Sequence, residues 1–190
     1  MGVLIPSYPV RTPRLLLRPL TSDDFPDVHA YYQLPEVARY LYWDAATPEQ
    51  TREALDRNTR RTELREEGDS LVLAVVPHEV GRVAGQVSLL WASQEHRQGE
   101  VGFTFNPAYH GRGLATEAAE AMLELSFEWL GLHRVSGRCD ARNLPSARVL
   151  ERLGMRREAH FVHDEIFKGE WGDQFVYAIL EDEWRKRERA

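Results

Sequence analysis

The chain has 190 residues, 43% of them hydrophobic and 28% charged, with a formal net charge of -6 at pH 7. These values suit one globular domain, which we assign to residues 1–190, and the negative charge disfavours nucleic acid as the main partner. A single cysteine, Cys139, excludes an intrachain disulfide and indicates a reducing, cytoplasmic compartment. We expect no membrane association, since no segment approaches the roughly 18 apolar residues that a spanning helix needs.

The first third of the chain predicts one strand and two helices. Residues 11–20 are apolar and bounded by prolines, which is typical of a strand. A capping box opens a helix over residues 21–32, and a second one opens a strongly charged helix over residues 47–67. Between these helices, residues 37–43 are rich in aromatic side chains. We interpret them either as core or as one wall of an acceptor pocket.

Three consecutive strands are predicted in the middle of the chain. Residues 70–76 and 82–91 are rich in β-branched and apolar residues, and they form a hairpin that continues into a strand over residues 100–105. Alternation in this third strand places its three large apolar side chains on one face and Glu100 on the other. We therefore expect Glu100 to point away from the core.

The third strand leads through a Gly-rich turn into a long amphipathic helix. The first turn of a helix presents unpaired N–H groups at the positive end of the helix dipole, so this junction predicts an anion site, most naturally for a phosphate or pyrophosphate. An ordinary strand-to-helix turn is the alternative. The turn lacks the lysine of a Walker loop and the third glycine of a dinucleotide loop. Its residues are His110, Gly111, Arg112, Gly113, Leu114, Ala115 and Thr116.

A second strand-and-helix unit follows this helix. Residues 133–139 predict a buried strand and residues 146–153 predict a helix. Residues 156–180 alternate around a turn and predict two antiparallel strands, and Trp184 anchors a polar tail that includes Arg189. The order of elements indicates an α+β domain in which helices flank a mostly antiparallel, mixed sheet of about seven strands.

Two motifs of the chain resemble the GNAT superfamily of N-acetyltransferases. Residues 110–115 are similar to the family's acyl-CoA loop, Gln/Arg-x-x-Gly-x-Gly/Ala, with histidine in the first position. Residues 143–155 are similar to its second block, Asn-x-x-Ser followed by Gly-Phe, with methionine in the final position. The Ala-Thr-Glu-Ala continuation at residues 115–118 and the Thr-x-Arg-Leu-x-Leu-Arg-Pro opening at residues 12–19 resemble the RimJ/RimL-like branch.

The resemblance implies a GNAT fold with splayed central strands, acetyl-CoA as co-substrate and no metal. It further implies direct transfer of an acetyl group to a primary amine, with a protein N-terminal α-amine favoured over a small amine such as a polyamine or an aminoglycoside. A CoA-binding interaction module without turnover and a different phosphate-binding enzyme are the alternatives. The protein is expected to act as a monomer or a homodimer.

The same resemblance implies roles for particular residues. The amides of residues 112–116 would hold the pyrophosphate of acetyl-CoA, with His110 beside it. A main-chain N–H near Phe105 would polarise the thioester carbonyl. Asn143 would bond the pantetheine arm, and Ser146 would lie near the sulfur as proton donor or orienting group. Helix capping is the alternative for both of these residues.

The general base is left open by the sequence. Glu100 is favoured because many members of the family carry a glutamate on this strand, and it could deprotonate an ammonium through water or only bind it. A solvated strand glutamate is the alternative. Further candidates for the base are His110, His163, Asp164 and Glu165. Cys139 is interpreted as a core residue, since transfer in this family is usually direct.

Overall fold

The computed structural model of the protein describes residues 3–187, so that residues 1, 2 and 188–190, Arg189 among them, lie outside the described residues. Eight strands and six α-helices follow one another along this part of the chain. In chain order they are β1 (Val10–Arg11), β2 (Leu15–Pro19), α1 (Phe25–Tyr32), α2 (Pro35–Ala38), α3 (Pro48–Thr59), β3 (Ser70–Pro77), β4 (Gly85–Ser93), β5 (Gln98–Phe105), α4 (Leu114–Glu124), β6 (Arg134–Asp140), α5 (Leu144–Arg152), β7 (Arg156–Phe167), β8 (Glu170–Leu180) and α6 (Glu181–Arg187).

All eight strands belong to one sheet, in the order β1-β2-β3-β4-β5-β6-β8-β7. Neighbouring strands are antiparallel throughout, except for the central pair β5 and β6, which is parallel. Helices cover both faces of this sheet. The predicted α+β architecture with a mostly antiparallel sheet is therefore confirmed, with eight strands in place of about seven.

The central strands β5 and β6 separate over most of their length. They pair only through residues 98–100 of β5 and residues 134–136 of β6. Beyond this point β5 stays bonded to β4 as far as Phe105, and β6 stays bonded to β8 as far as Asp140. Each strand thus follows its outer neighbour, and a V-shaped gap opens between them. The predicted splay of the central strands is confirmed.

Two hydrophobic clusters hold the helices to the sheet. On one face, α4 buries side chains such as Met122 against the odd-numbered residues of β4 and β5, and α5 buries Leu150 against β6 and its neighbours. On the other face, α1 and α3 pack Tyr31 and Leu55 against Val72 and its neighbours. Because each strand alternates, the first cluster fixes which side chains of β5 face α4, and Glu100 lies on the opposite side.

The central helix is long, as predicted, but its last part is wider than an α-helix. After Glu124 it continues as a π-helical turn over Leu125–Trp129. In this turn the Ser126 hydroxyl donates to the carbonyl of Met122 at 2.6 Å. Gly131 then takes the left-handed conformation, with φ of 70°, and the chain reverses into β6.

Two predicted elements differ from the structure by more than a few residues at one end or by a break within the element. The first strand, predicted over residues 11–20, is divided into β1 and β2, which pair with each other, because Pro13 lies in the turn and has no N–H to donate. The charged helix, predicted to residue 67, ends at Thr59. The prediction is therefore wrong for residues 60–67. In this segment the fully buried Leu64 is not helical, because it exchanges backbone hydrogen bonds of 2.8 and 2.9 Å with Leu4.

Candidate active site

A cleft of about 600 Å³ opens where β5 and β6 separate. The N-terminus of α4 and the start of α5 form the end of the cleft on their face of the sheet. The end on the opposite face is formed by α2 and the loop after it, through Glu36, Val37, Tyr40 and Leu41. Every predicted cofactor residue except Arg112 lines it, namely Phe105, His110, Gly111, Gly113, Leu114, Ala115, Thr116, Asn143 and Ser146. The structure therefore brings two motifs together that lie about thirty residues apart in the sequence.

The turn before α4 has the geometry of an anion-binding loop. Gly111 and Gly113 are both left-handed, with φ of 76° and 75°, a conformation that side-chain-bearing residues rarely adopt. Backbone bonding in the helix begins with the N–H of Glu117, which donates to the carbonyl of Gly113 at 3.1 Å. The amides of residues 114–116 therefore have no acceptor within the helix, and they lie at its positive end.

Thr116 supplies an independent sign that this end of the cleft binds a polar group. Its hydroxyl oxygen is buried and has no hydrogen-bond partner among residues 3–187, although the side chain lines the cleft. A buried hydroxyl without a partner is costly, so such groups are normally satisfied. Phosphate oxygens at the first turn of α4 would accept this hydrogen bond together with those of the free amides. The residues present therefore fit a pyrophosphate.

The side chain of Arg112 points away from the cleft. Its guanidinium forms an ion pair with Glu79, in the turn between β3 and β4. The carbonyl of Arg112 accepts a hydrogen bond of 2.9 Å from Nη1 of Arg14. Any contact that Arg112 makes with a ligand in this arrangement is consequently made by its main chain, and the charged group lies beside the loop.

The loop is fastened to the N-terminal segment through the carboxylate of Glu117. This carboxylate accepts hydrogen bonds from the Thr12 hydroxyl at 2.6 Å and from Arg14 N and Nε at 2.9 and 2.6 Å. Partial burial acts to raise the pKa of Glu117, but these hydrogen bonds outweigh burial and lower it. Sequence reasoning gave none of these residues a place at the site. In the sequence, the Thr-x-Arg motif at residues 12–14 is the feature that could have pointed to this attachment.

The second motif places Asn143 and Ser146 at the start of α5. Oδ1 of Asn143 accepts a hydrogen bond of 3.2 Å from the backbone N–H of Ser146, so Asn143 is the N-cap of the helix. Both side chains also line the cleft. The capping interpretation of Asn143 is thus correct, and it is compatible with a ligand contact because the cap uses only the carbonyl oxygen of the amide.

We expect Ser146→Ala to lower turnover by roughly tenfold or more while acetyl-CoA affinity changes little. The cap of α5 survives this change, because Asn143 bonds the backbone of residue 146 and not its hydroxyl. Steady-state kinetics, with the cofactor dissociation constant measured by calorimetry, would separate the two effects. Equal losses in turnover and affinity would reduce Ser146 to a binding residue.

The end of β5 offers a main-chain donor to the cleft. The N–H of Asn106 donates to Ala84 on the β4 side at 2.9 Å. Because successive N–H groups of a strand point in opposite directions, the N–H of Phe105 points toward the gap between β5 and β6. Phe105 also lines the cleft. This position agrees with the predicted polarising role for a main-chain N–H near Phe105.

Glu100 lies at the point where the central strands separate, on the face opposite α4. It occupies the last residue of β5 that pairs with β6, and its Oε2 accepts a hydrogen bond of 3.1 Å from Nε of Arg138. Arg138 also reaches Gln174 of β8, at 3.5 Å. Glu100 does not line the cleft itself. Its ion pair with Arg138 is partly exposed, and the choice between a general base and a solvated strand glutamate stays a prediction.

The other candidates for the base are more dispersed. His110 lines the cleft beside the loop. Glu165 of β7 accepts a hydrogen bond of 2.8 Å from the Tyr42 hydroxyl, near the α2 end. His163 and Asp164 lie in an irregular part of β7, between its two stretches of regular pairing with β8. The ring of His163 stacks on an exposed tryptophan of β8, with centroids 6.2 Å apart.

Two arginines of α5 also line the cleft, and the sequence analysis did not assign either of them to it. Arg148 and Arg152 are four residues apart, so they share one face of the helix. Their charges would complement the phosphates of a CoA-type ligand. In the sequence, the four-residue spacing of these arginines, within the motif that contains Asn143 and Ser146, could have indicated this role.

Cys139 is a core residue, in agreement with the sequence interpretation. It is buried in the cluster beneath α5. Burial, with smaller contributions from Asp140 and Glu151, raises the pKa of the Cys139 thiol to about 11. The thiol is therefore protonated at neutral pH, where a nucleophilic cysteine needs thiolate.

The described part of the chain has neither a candidate metal cluster nor a candidate membrane-spanning helix. Across residues 3–187, no three His, Cys, Asp or Glu side chains are grouped so that they could hold a metal ion. In the same part of the chain, no helix combines the length and the apolar character needed to cross a bilayer.

Comparison with known proteins identifies the family. Residues 14–156 match the family described as Acetyltransferase (GNAT) domain. The uncharacterized N-acetyltransferase YnaD of Bacillus subtilis is 34% identical over 92% of this chain and 98% of its own length. A GNAT-family acetyltransferase structure from Bacillus anthracis superposes with a TM-score of 0.82 at 33% identity, covering 92% of this chain and 99% of that one.

More distant relatives have named substrates. The spermidine N(1)-acetyltransferase of Escherichia coli is 26% identical over 88% of this chain and 87% of its own length. The structure of RimL, a ribosomal alpha-N-protein acetyltransferase in complex with coenzyme A, has a TM-score of 0.75 at 20% identity, covering 94% of this chain and 98% of that one. At that identity the likeness concerns the fold.

An open sheet with separated central strands, next to a helix N-terminus with free amides, defines the class of acyltransferases that use CoA thioesters. The family match and the relatives agree with this assignment. The protein belongs to the GNAT family of N-acetyltransferases.

Proposed function

We propose that the protein is a RimJ/RimL-like enzyme that transfers the acetyl group of acetyl-CoA directly to a protein N-terminal α-amine. The cofactor half of this proposal rests on the loop before α4. Free amides at residues 114–116, the unsatisfied hydroxyl of Thr116 and the left-handed Gly113 form a cradle suited to a pyrophosphate. Asn143 and Ser146 line the same cleft as the loop, so a pantetheine arm that leaves the loop could reach both side chains.

The catalytic half of the proposal assigns one role to each of three groups. The N–H of Phe105 polarises the thioester carbonyl, since it points into the gap between the central strands. Glu100 receives the proton of the acceptor ammonium, directly or through water, so that a neutral amine attacks. The Ser146 hydroxyl serves the departing sulfur. Held together in one cleft, both reactants would gain the rate advantage of an intramolecular reaction.

Two of the carboxylates near the acceptor side are already held in ion pairs, and this observation favours a peptide over a polyamine as the substrate. Glu100 is bound to Arg138, and Asp44 is bound to Lys168. Glu36 lines the cleft and has no ion pair among the described residues. A polyamine carries further ammonium groups besides the reacting one, and each needs a carboxylate that is free to bind it. A peptide N-terminus presents one ammonium and can be held by polar and apolar contacts for the rest of its length.

A small amine is the second candidate substrate, favoured by the similarity to spermidine N(1)-acetyltransferase. Glu36 is the carboxylate that such a substrate would meet in the cleft. The single cysteine supports a cytoplasmic location, and we expect a monomer or a homodimer. A CoA-binding protein without turnover remains the alternative to catalysis.

The substrate is tested by incubating the protein with acetyl-CoA and a panel of peptides with free N-termini, polyamines and aminoglycosides, while free thiol is measured. We expect thiol release with peptides and N-terminal acetylation by mass spectrometry. N-terminally blocked copies of the same peptides serve as controls. Turnover with polyamines alone would show that the protein is a small-amine acetyltransferase instead. Binding of CoA without turnover on any amine would favour the interaction module.

A further inference from the structure

The loop after α2, residues 39–42, shapes the α2 end of the cleft. Tyr40 and Leu41 of this 39–42 loop line the cleft, together with Glu36 and Val37 of α2. Its backbone forms no regular secondary structure. In the proposed acetyl transfer the phosphates of acetyl-CoA bind at the turn before α4, on the opposite face of the sheet, so the acceptor amine would enter from this end. The position of the 39–42 loop therefore decides the shape of the acceptor site.

One ammonium group joins the two sides of the 39–42 loop. Lys168 lies in the turn between β7 and β8, and its Nζ donates to the carbonyl oxygens of Ala38 and Trp43 at 2.9 Å each. The same Nζ lies 2.9 Å from Oδ1 of Asp44. Ala38 precedes the loop, whereas Trp43 and Asp44 follow it. The lysine thus closes residues 39–42 into a loop of fixed span.

A second contact reinforces the bridge between the loop and the hairpin of β7 and β8. The Tyr42 hydroxyl donates to Glu165 at 2.8 Å, and its ring meets the edge of Phe167 with centroids 5.5 Å apart. Tyr42 itself is 75% exposed, so this contact alone buries little surface. The three bonds of Lys168 are therefore the main polar attachment of the loop to the hairpin.

The choice of lysine at this position follows from its geometry. The chain has two lysines, Lys168 and Lys186, among 24 basic residues. An ammonium directs three N–H groups tetrahedrally and can serve three acceptors that lie in different directions. The guanidinium of arginine is planar, and its donors form a rigid fork. Arginine would keep the charge at position 168 but could not reproduce the three bonds.

We infer that Lys168 is a positioning residue for the acceptor amine, holding the 39–42 loop in the shape that lines the acceptor end of the cleft. The inference rests on the proposed acetyl transfer, but it does not depend on which amine is the acceptor. The phosphate-binding turn lies at the other end of the cleft, so Lys168 should affect the two substrates unequally.

The test compares Lys168→Ala and Lys168→Arg with Lys186→Ala, which removes an exposed helical ion pair to Asp182. We expect Lys168→Ala to raise KM for the best acceptor of the panel about tenfold or more, and Lys168→Arg to recover only part of the loss. Affinity for acetyl-CoA should stay within about twofold of the parent value in all three variants. Lys186→Ala should leave both substrates unaffected.

A second measurement needs no acceptor. Amide hydrogen exchange should become faster across residues 39–44 in Lys168→Ala, while exchange at residues 111–116 stays unchanged. Unchanged exchange and KM in Lys168→Ala would overturn the inference, and so would equal losses of acceptor and acetyl-CoA affinity, which indicate general destabilisation. Failure of the proposed function is distinguishable, because it appears as lack of turnover on peptides in the parent protein.

Discussion

Replacing Gly113 with aspartate is expected to abolish acetyl-CoA binding while the protein stays folded. Residue 113 immediately precedes the free amides of α4, so the new carboxylate lies where the pyrophosphate would bind. Like charges about 4 Å apart repel by roughly 4 kcal/mol at the effective dielectric of a protein surface, which corresponds to a loss of about 10³-fold in affinity. A Cβ at this position would also lie 3.5 Å from the guanidinium of Arg14, which normally contacts the loop.

The matched control for this prediction is Gly113→Asn. Asparagine has nearly the same shape as aspartate, and both tolerate the left-handed conformation that residue 113 adopts, with φ of 75°. Any backbone strain is therefore common to the two variants, and only the charge differs. Calorimetric titration with acetyl-CoA should give weak binding for the asparagine variant and none for the aspartate variant. Equal affinity in the two would remove the anion site from the mechanism.

Glu100→Gln is expected to reduce turnover by about 10²-fold or more, because the change keeps the size of the side chain and removes its charge, and with it the ability to accept a proton. Activity should recover in part at high pH, where the acceptor amine is already neutral. Affinity for acetyl-CoA should be nearly unchanged, since Glu100 lies outside the cofactor end of the cleft. The pH dependence of kcat and the cofactor dissociation constant are the measurements that decide this.

Glu165→Gln is the control for this experiment, because it makes the same chemical change at a second candidate base. Glu165 lies near the α2 end of the cleft and accepts a hydrogen bond from Tyr42. It should lose much less turnover than Glu100→Gln at neutral pH. Near-normal activity of Glu100→Gln would show that Glu100 is only a strand residue paired with Arg138. The search for the base would then pass to His163, Asp164 and Glu165.

The elements of the fold could be predicted where one local signal dominated. The alternation in β5, the left-handed glycines before α4 and the Asn143 cap are all encoded within a few residues, and the structure contains each of them. The charged helix was predicted too long, because Leu64 is drawn out of the helical path by Leu4, far away in the sequence. Such a pairing leaves no periodic mark in the sequence.

The same distinction explains what the sequence revealed of the site. The Gly-rich turn before α4 and the Asn143 motif are each a continuous stretch of sequence, so their residue types and spacing were enough to single them out. The attachment of Glu117 to Thr12 and Arg14, and that of the 39–42 loop to Lys168, join segments that only the sheet topology brings together. Polar side chains with distant partners look like ordinary surface residues until their neighbours are known.

The bonds of Glu117 have a consequence for the order in which the molecule is made. The hydrogen bond from Thr12 to Glu117 joins residues 105 apart, so its closure carries the entropy cost of a long loop. A growing chain cannot complete the cofactor end of the cleft until α4 has been synthesised and has packed against strands made much earlier. Contacts of this range slow folding and expose apolar strand faces in the meantime. Acetyl-CoA should thus bind only to chains that have finished folding, which makes the cofactor a selective probe of the mature protein during refolding.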